Sequence, residues 1–106
     1  MKPLIRWVQL SIDPQKTDEF LGLFQGSKES IRSFPGCQYM ALLEGTSAGE
    51  FFTLSVWESQ EYLEKYRSSP LFSDIWGPVK ATFCAPAQAL TTYPKDTPSD
   101  YAFPSI

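Results

Sequence analysis

The segment CQYMALLEGTSAGEFFTLSVW, residues 37–57, decides the fold because it predicts two neighbouring strands joined by a short turn. Residues 37–44 and 50–57 are rich in apolar, aromatic and β-branched side chains, a pattern typical of strands. The intervening GTSAG is small and begins and ends with glycine, which predicts the connection of a hairpin. The rest of the chain must therefore extend or cover this hairpin.

A strand and a helix are predicted on the N-terminal side of the hairpin. Residues 4–12, LIRWVQLSI, alternate and predict a first strand, which DPQK ends. Thr17 is a suitable N-cap for a helix that FPG, residues 34–36, ends. The apolar stripe of this helix is Phe20, Phe24, Ile31 and Phe34.

Two short helices and a last strand are predicted after the hairpin. Ser59 and Ser69 are their expected N-caps, and Pro70 suits a first helical position. We expect Pro78 to kink or interrupt the second of these helices, because proline lacks an N–H. Residues 87–93 predict the fourth strand. The order β-α-β-β-α-β gives an α+β, ferredoxin-like fold with a four-stranded antiparallel sheet and helices on one face.

Length and charge narrow the class of protein. A chain of 106 residues predicts one domain, which we place at residues 1–93, followed by a Pro- and Ser-rich tail at residues 94–106. The net charge of −3 comes without a basic stripe, so nucleic-acid binding is not expected. Neither a membrane span nor a signal peptide is evident, and we expect a cytoplasmic location by default.

The chain has no histidine and two cysteines, Cys37 and Cys84, without motif spacing. Histidine is the commonest general base at neutral pH and the commonest metal ligand, so we expect neither a metal site nor a bound cofactor. The cysteines favour buried free thiols, with a disulfide as the less favoured alternative.

Apolar residues occur on both faces of the predicted sheet. In the third strand, Phe51 and Trp57 alternate with Phe52, Leu54 and Val56. Helices can cover one face only, and monomers seldom expose a large apolar patch. We therefore predict a homodimer joined through the sheet faces, with the aromatic tail reaching onto the partner.

Two segments carry a family resemblance: DEFLGLFQGSKESIRSFPGC and FFTLSVWESQEYLEKYRSSPLF, followed by a Trp and KATF. Together they resemble the antibiotic biosynthesis monooxygenase family over roughly residues 4–93. The resemblance implies a ferredoxin-like fold in its dimeric α/β-barrel form. Members of the family include oxygenases that need no cofactor and haem-degrading enzymes, so the resemblance implies the fold more firmly than the reaction.

The resemblance can be examined residue by residue. The haem-degrading branch carries an Asn, a Trp and a His, whose positions fall near Val8, on Tyr66 and on Trp76. None of the three is kept, which argues against haem degradation. The ring-oxidising branch uses an Asn, a Trp and a Tyr or Arg near its substrate, and its Trp position also falls on Tyr66.

Five residues are the candidate site. We expect Tyr66 and Arg6 to carry chemistry and Val8, Phe72 and Trp76 to line a pocket. The alternative is that the rings only form core and that Arg6 is solvated. The preferred function is a cofactor-independent monooxygenase of a small aromatic or quinone-like compound. The alternatives are a dimer that binds a small apolar ligand without catalysis and an enzyme that isomerises or breaks down a small metabolite.

Overall fold

A computed structural model describes residues 2–96 of the chain. The sheet has the strand order β2-β3-β1-β4, with every neighbouring pair antiparallel. This order confirms the α+β, ferredoxin-like fold. The elements are β1 (Leu4–Ile12), a 3₁₀ turn (Pro14–Lys16), α1 (Thr17–Arg32), β2 (Cys37–Glu44), β3 (Glu50–Trp57), α2 (Gln60–Arg67), α3 (Pro70–Lys80) and β4 (Phe83–Thr92).

The register between β1 and β3 decides which side chains share a face. Arg6 lies opposite Ser55, and Val8 lies opposite Thr53. Since side chains alternate along a strand, these residues share the face that the helices cover, together with Leu4, Leu10 and Trp57. The other face, which we call the outer face, carries Ile5, Trp7, Phe52, Leu54 and Val56.

Two apolar clusters hold the helices on the sheet. One is built on Leu10, Ile12, Phe20, Phe51 and Val79. The other is built on Leu4, Trp57 and Leu63, with Tyr66 packed against it. The clusters lie toward opposite ends of β1, and Arg6 and Val8 in the middle of that strand are only partly buried.

The start of α1 differs from the prediction. Thr17 is the first residue of the helix and not its N-cap, which is Lys16 without a side-chain cap. A side-chain cap is found one turn earlier, at the start of the 3₁₀ turn. There the Asp13 carboxylate accepts a hydrogen bond from the Gln15 N–H. A 3₁₀ turn therefore precedes the helix, and Asp and Pro suit its start.

Pro78 does not interrupt α3, which continues to Lys80. Proline removes a single hydrogen bond, and here it lies in the last turn of the helix. The following turn is intact, since the Ala81 N–H donates to the Gly77 carbonyl at 3.3 Å.

The fourth strand begins at Phe83 and not at residue 87. The prediction started the strand at residue 87, directly after Pro86, and proline cannot donate to a sheet ladder. However, β4 is an edge strand, and its pairing with β1 shifts register between Gln9 and Ser11. Proline is accommodated at such irregular edges, so the strand continues through it.

Both cysteines are free thiols, which was the preferred expectation over a disulfide. Only Cys37 is partly buried. Cys84 is exposed because it lies on the edge strand, so the prediction of burial was wrong for this residue.

None of the helices in residues 2–96 is long and apolar enough to cross a membrane. The cytoplasmic location stays a prediction. The tail predicted to reach onto a partner lies, from residue 97 onward, outside the described residues.

Candidate functional site

A cavity of about 340 Å³ lies between the helix layer and the sheet. The middle of β1 forms part of its floor through Arg6 and Val8, and α2 and α3 contribute Tyr66, Phe72 and Trp76. Ala89 of β4 lines the cavity and is exposed, so the cavity reaches solvent beside the edge strand. A volume of this size is at the small end of ligand pockets, which span about 300–1,000 Å³.

Aromatic rings in mutual contact form the helix side of the cavity. Tyr66 meets Phe72 edge-on at 5.2 Å between ring centroids, and Phe72 stacks on Trp76 at 5.7 Å. On the other side of this wall, Trp76 contacts Phe83 of β4 edge-on. Each such pair contributes about 0.5–1.5 kcal/mol beyond the burial of its rings, so the wall is packed and ordered. The rings therefore pack against one another and also line a cavity.

The junction of α2 and α3 fixes the spacing of Tyr66 and Phe72. Ser69 is the N-cap of α3, and its hydroxyl accepts a hydrogen bond from the Phe72 N–H at 3.2 Å. The same hydroxyl donates to the Tyr66 carbonyl at 2.6 Å. One serine thus joins the last turn of α2 to the first turn of α3. The neighbouring Pro70 has a fixed φ that suits the first helical position.

Arg6 is held at the cavity by β4. Its Nη1 donates to the Thr91 hydroxyl at 2.9 Å, across the β1–β4 pair. Burial lowers the pKa of Arg6, and the positive charge of Arg67 lowers it further, while Glu64 raises it. An arginine remains cationic at neutral pH despite such effects, so Arg6 places a positive charge in the cavity wall.

Tyr66 brings a phenol group to the same cavity. Within residues 2–96 its hydroxyl has no hydrogen-bond partner, which leaves it available to a ligand. Burial, with a smaller contribution from Cys37, raises the pKa of Tyr66 to about 12. The group is therefore a neutral hydrogen-bond donor at physiological pH and not a base.

The charged side chains that line the cavity are all cationic among the described residues. They are Arg6 and Arg67, and no Asp or Glu lines the cavity there. Among residues 2–96, no three His, Cys, Asp or Glu are grouped so that they could hold a metal ion. The arrangement can bind an aromatic compound and stabilise negative charge on one of its oxygens.

The structure brings the five predicted site residues together around one cavity. It also adds Arg67 and Ser55, which sequence reasoning missed. Ser55 could have been found, because it follows from the alternation that places Thr53 and Trp57 on the helix-covered face. Arg67 gave no comparable signal, since a basic residue in the last turn of a helix usually only complements the helix dipole.

Solved structures with the same fold are numerous, and three of them illustrate the likeness. A conserved protein from Methanosarcina mazei superposes with a TM-score of 0.84 at 17% identity, covering 90% of this chain and 95% of that one. Rv0793 from Mycobacterium tuberculosis has a TM-score of 0.82 at 21% identity, covering 92% and 99%. A variant of SnoaB, a cofactor-independent oxygenase from Streptomyces nogalater, has a TM-score of 0.79 at 14% identity, covering 94% and 100%.

At these identities the structural likeness establishes the fold alone. No protein with a curated description matches the chain. A family model gives the more specific assignment. The model of the antibiotic biosynthesis monooxygenases matches residues 3–76, which span β1 to α3 and include Arg6, Tyr66 and Trp76. The chain therefore belongs to the antibiotic biosynthesis monooxygenase family.

Proposed function

We propose that this protein is a cofactor-independent monooxygenase that oxidises a small aromatic or quinone-like compound in the cavity. The observation that carries the proposal is that Arg6 and the Tyr66 phenol, which has no hydrogen-bond partner within residues 2–96, line one ring-lined cavity. Family membership gives the reaction class its support, and SnoaB is an oxygenase on the same fold.

The proposed reaction converts an activated ring CH₂ group into a carbonyl group. The substrate first loses a proton to become an enolate, and the enolate transfers one electron to O₂. The resulting radical pair combines to a peroxide, which loses water. The overall change is CH₂ + O₂ → C=O + H₂O, in which the ring carbon is oxidised and both oxygen atoms are reduced.

The residues of the cavity serve the charged stages of this reaction. Arg6 stabilises the enolate oxygen through a charge-assisted hydrogen bond, and Tyr66 donates a second hydrogen bond. Phe72, Trp76 and Val8 form the apolar walls that hold the ring system and exclude water. The positive charge of Arg6 also favours ionisation of an acidic substrate, so the proton can leave to water without a base in the wall.

One observation favours a second candidate, a module that binds a small apolar ligand without catalysis. The described lining residues include no carboxylate or imidazole group that could act as a general base. A substrate that is not acidic by itself would bind in such a cavity and remain unchanged.

Oxygen consumption separates the two candidates. The purified protein is mixed with 1,8-dihydroxyanthrone in an O₂ electrode, and ligand binding is followed in parallel by tryptophan fluorescence. The monooxygenase predicts O₂ uptake well above that of buffer, and Arg6→Ala should lower the rate far more than it lowers thermal stability. Binding with O₂ uptake at the buffer level would support the binding module.

We propose further that residues 1–93 form the family domain and that two copies join through their outer faces. Support comes from apolar side chains left exposed there, since Trp7 is 38% exposed and Leu90 is 59% exposed. Paired residues share a face of the sheet, and Trp7 pairs both with Leu54 of the outer face and with Leu90. Trp7 and Leu90 therefore lie on the outer face, opposite the cavity. A second sheet over this face would bury them.

A further inference from the structure

We propose that the cavity selects a planar aromatic ligand that carries an ionised oxygen at one end, and that Arg67 is the specificity-determining residue. The inference deepens the proposed function and rests on it only in taking this cavity as the ligand site. It adds a residue and a ligand charge that the family assignment does not provide.

Two arginines line the cavity from opposite layers. Arg6 belongs to β1 in the sheet, and Arg67 is the last residue of α2 in the helix layer. They are close enough for the charge of Arg67 to lower the pKa of Arg6, after the larger effect of burial. No carboxylate among the described residues lines the cavity itself, and Glu64, which lies outside the lining, offsets the two positive charges only in part. An anionic group between the two arginines would therefore relieve their repulsion and gain charge-assisted hydrogen bonds from both.

A ligand anion can replace Glu64 as the ion-pair partner of Arg67. Nη1 of Arg67 lies 3.5 Å from Oε1 of Glu64, and the two side chains are 46% and 53% exposed. Exposed ion pairs contribute little to stability, so exchange of Glu64 for a ligand anion costs little. Glu64 keeps a second contact, since its Oε1 accepts a hydrogen bond from Gln60 Nε2 at 2.8 Å. Gln60 can hold the carboxylate when Arg67 turns to the ligand.

The opposite end of the cavity is apolar. Leu10 lies four residues beyond Arg6 on β1, and it lines the cavity together with Phe20 and Val79. Four residues of strand span roughly 13 Å at about 3.3 Å per residue. A ligand that reaches from the arginines to Leu10 is therefore the length of two or three fused rings, with its charge at the Arg6 end.

Isothermal titration calorimetry at neutral pH tests this selection with two naphthalene probes of nearly equal shape. One probe is 2-naphthoate, an anion, and the other is 2-naphthamide, which is neutral. The wild-type protein should bind the anion about tenfold more tightly, as expected for a hydrogen bond to a charged group. Arg67→Gln should remove most of this difference in affinity and should change the affinity for the amide by less than about twofold. Lys65→Gln, which removes one positive charge from the same helix away from the cavity, should leave both affinities unchanged.

Two further measurements sharpen the result. Glu64→Gln should tighten binding of 2-naphthoate, because it frees Arg67, and should leave 2-naphthamide unaffected. A comparison of 2-hydroxy-1,4-naphthoquinone, an acidic enol, with 1,4-naphthoquinone shows whether an enolate oxygen is selected as a carboxylate is.

The proposal is overturned if the wild-type protein binds the anion no better than the amide. It is also overturned if Arg67→Gln weakens the binding of both probes equally, since Arg67 would then act only by packing. Its failure is distinct from failure of the proposed function. Selective anion binding without O₂ uptake contradicts the oxygenase alone, and O₂ uptake without charge selectivity contradicts the role of Arg67 alone.

Discussion

The ring of Tyr66 stacks on the indole of Trp57, with 5.0 Å between ring centroids and 25° between ring planes. Trp57 is itself fixed, because it is 1% exposed and its Nε1 donates to the Ser55 hydroxyl at 3.0 Å. Phe34 also contacts the phenol ring, edge-on with 5.3 Å between ring centroids. Ring packing therefore positions the Tyr66 hydroxyl without a hydrogen bond to it from any other residue in 2–96, and this placement costs no reorganisation when a ligand binds.

Replacement of Tyr66 by phenylalanine should separate chemistry from packing. The stacked ring remains, so the free energy of unfolding should change by less than about 1 kcal/mol. The oxidation rate should fall about a hundredfold, as expected when one of the donors to a developing oxyanion is lost. Steady-state O₂ uptake and urea denaturation measure the two effects. Tyr62→Phe, on the same helix and away from the cavity lining, is the control and should leave the rate unchanged. Equal loss of rate in both variants would contradict the assignment.

Stability at alkaline pH should depend on Tyr66. The folded-state pKa of Tyr66 is about 12, against an ordinary value of 10.0, because burial disfavours the phenolate. Between these values the folded protein binds more protons than the unfolded chain, so the free energy of unfolding falls as pH rises through this window. Below pH 10 the phenol is protonated in both states, and its contribution is constant.

Urea denaturation at several pH values between about 9 and 12 checks this dependence by comparison of wild type with Tyr66→Phe. The variant should lose stability less steeply over this range, because it lacks the titrating group. Identical slopes would show that the phenol titrates with the same pKa in both states.

The glycine of the FPGC motif couples the hairpin to α2. Gly36 has a φ of +87°, and a Cβ at this position would collide with the ring of Tyr62. Gly36→Ala should therefore lower the free energy of unfolding by roughly 1–3 kcal/mol. Gly22→Ala is the matched control, because Gly22 lies in α1 with open space where a Cβ would be. That change should stabilise the protein by about 0.5–1 kcal/mol. Chemical denaturation measures the free energy of unfolding of both variants. Destabilisation of similar size in Gly36→Ala and Gly22→Ala would contradict the role given to Gly36.

The proposed dimer predicts a sharp difference between two leucines. Leu90 is 59% exposed on the outer face, and Leu21 is 36% exposed on α1. Sedimentation equilibrium at micromolar concentration should give a dimer for the wild type and for Leu21→Lys. Leu90→Lys buries a charge in the proposed interface and should shift the protein to monomers. A monomeric wild type would refute the sheet-to-sheet assembly.

Much of this fold follows from local sequence signals. The bounds of β1, β2 and β3 agree with the predicted strands, because alternation and the glycine-flanked turn specify them directly. The caps at Ser59 and Ser69 were also predicted, and each accepts the expected backbone hydrogen bond. The start of β4 was not predictable by the same rules, because the sheet tolerates Pro86 only through its edge position and a register shift.

Five members of the site were predictable from the sequence, but Arg67 and the shape of the cavity were not. Helical spacing placed Tyr66, Phe72 and Trp76 on one side, yet the same spacing fits a filled core. Whether a cavity remains depends on how far the helices stand from the sheet, and the ring contacts between the two layers, Tyr66 with Trp57 and Trp76 with Phe83, form only in the folded chain. Arg67 enters the site for the same reason, since only the path of α2 brings its last residue to the cavity.

Oxidation of 1,8-dihydroxyanthrone under ¹⁸O₂, with mass analysis of the product, tests the monooxygenase most directly. We expect one ¹⁸O atom in the new carbonyl group of the product formed by the wild type, and little product with Tyr66→Phe. A product without ¹⁸O, or equal labelled product from wild type, Tyr66→Phe and a protein-free control, would contradict catalysis in this cavity.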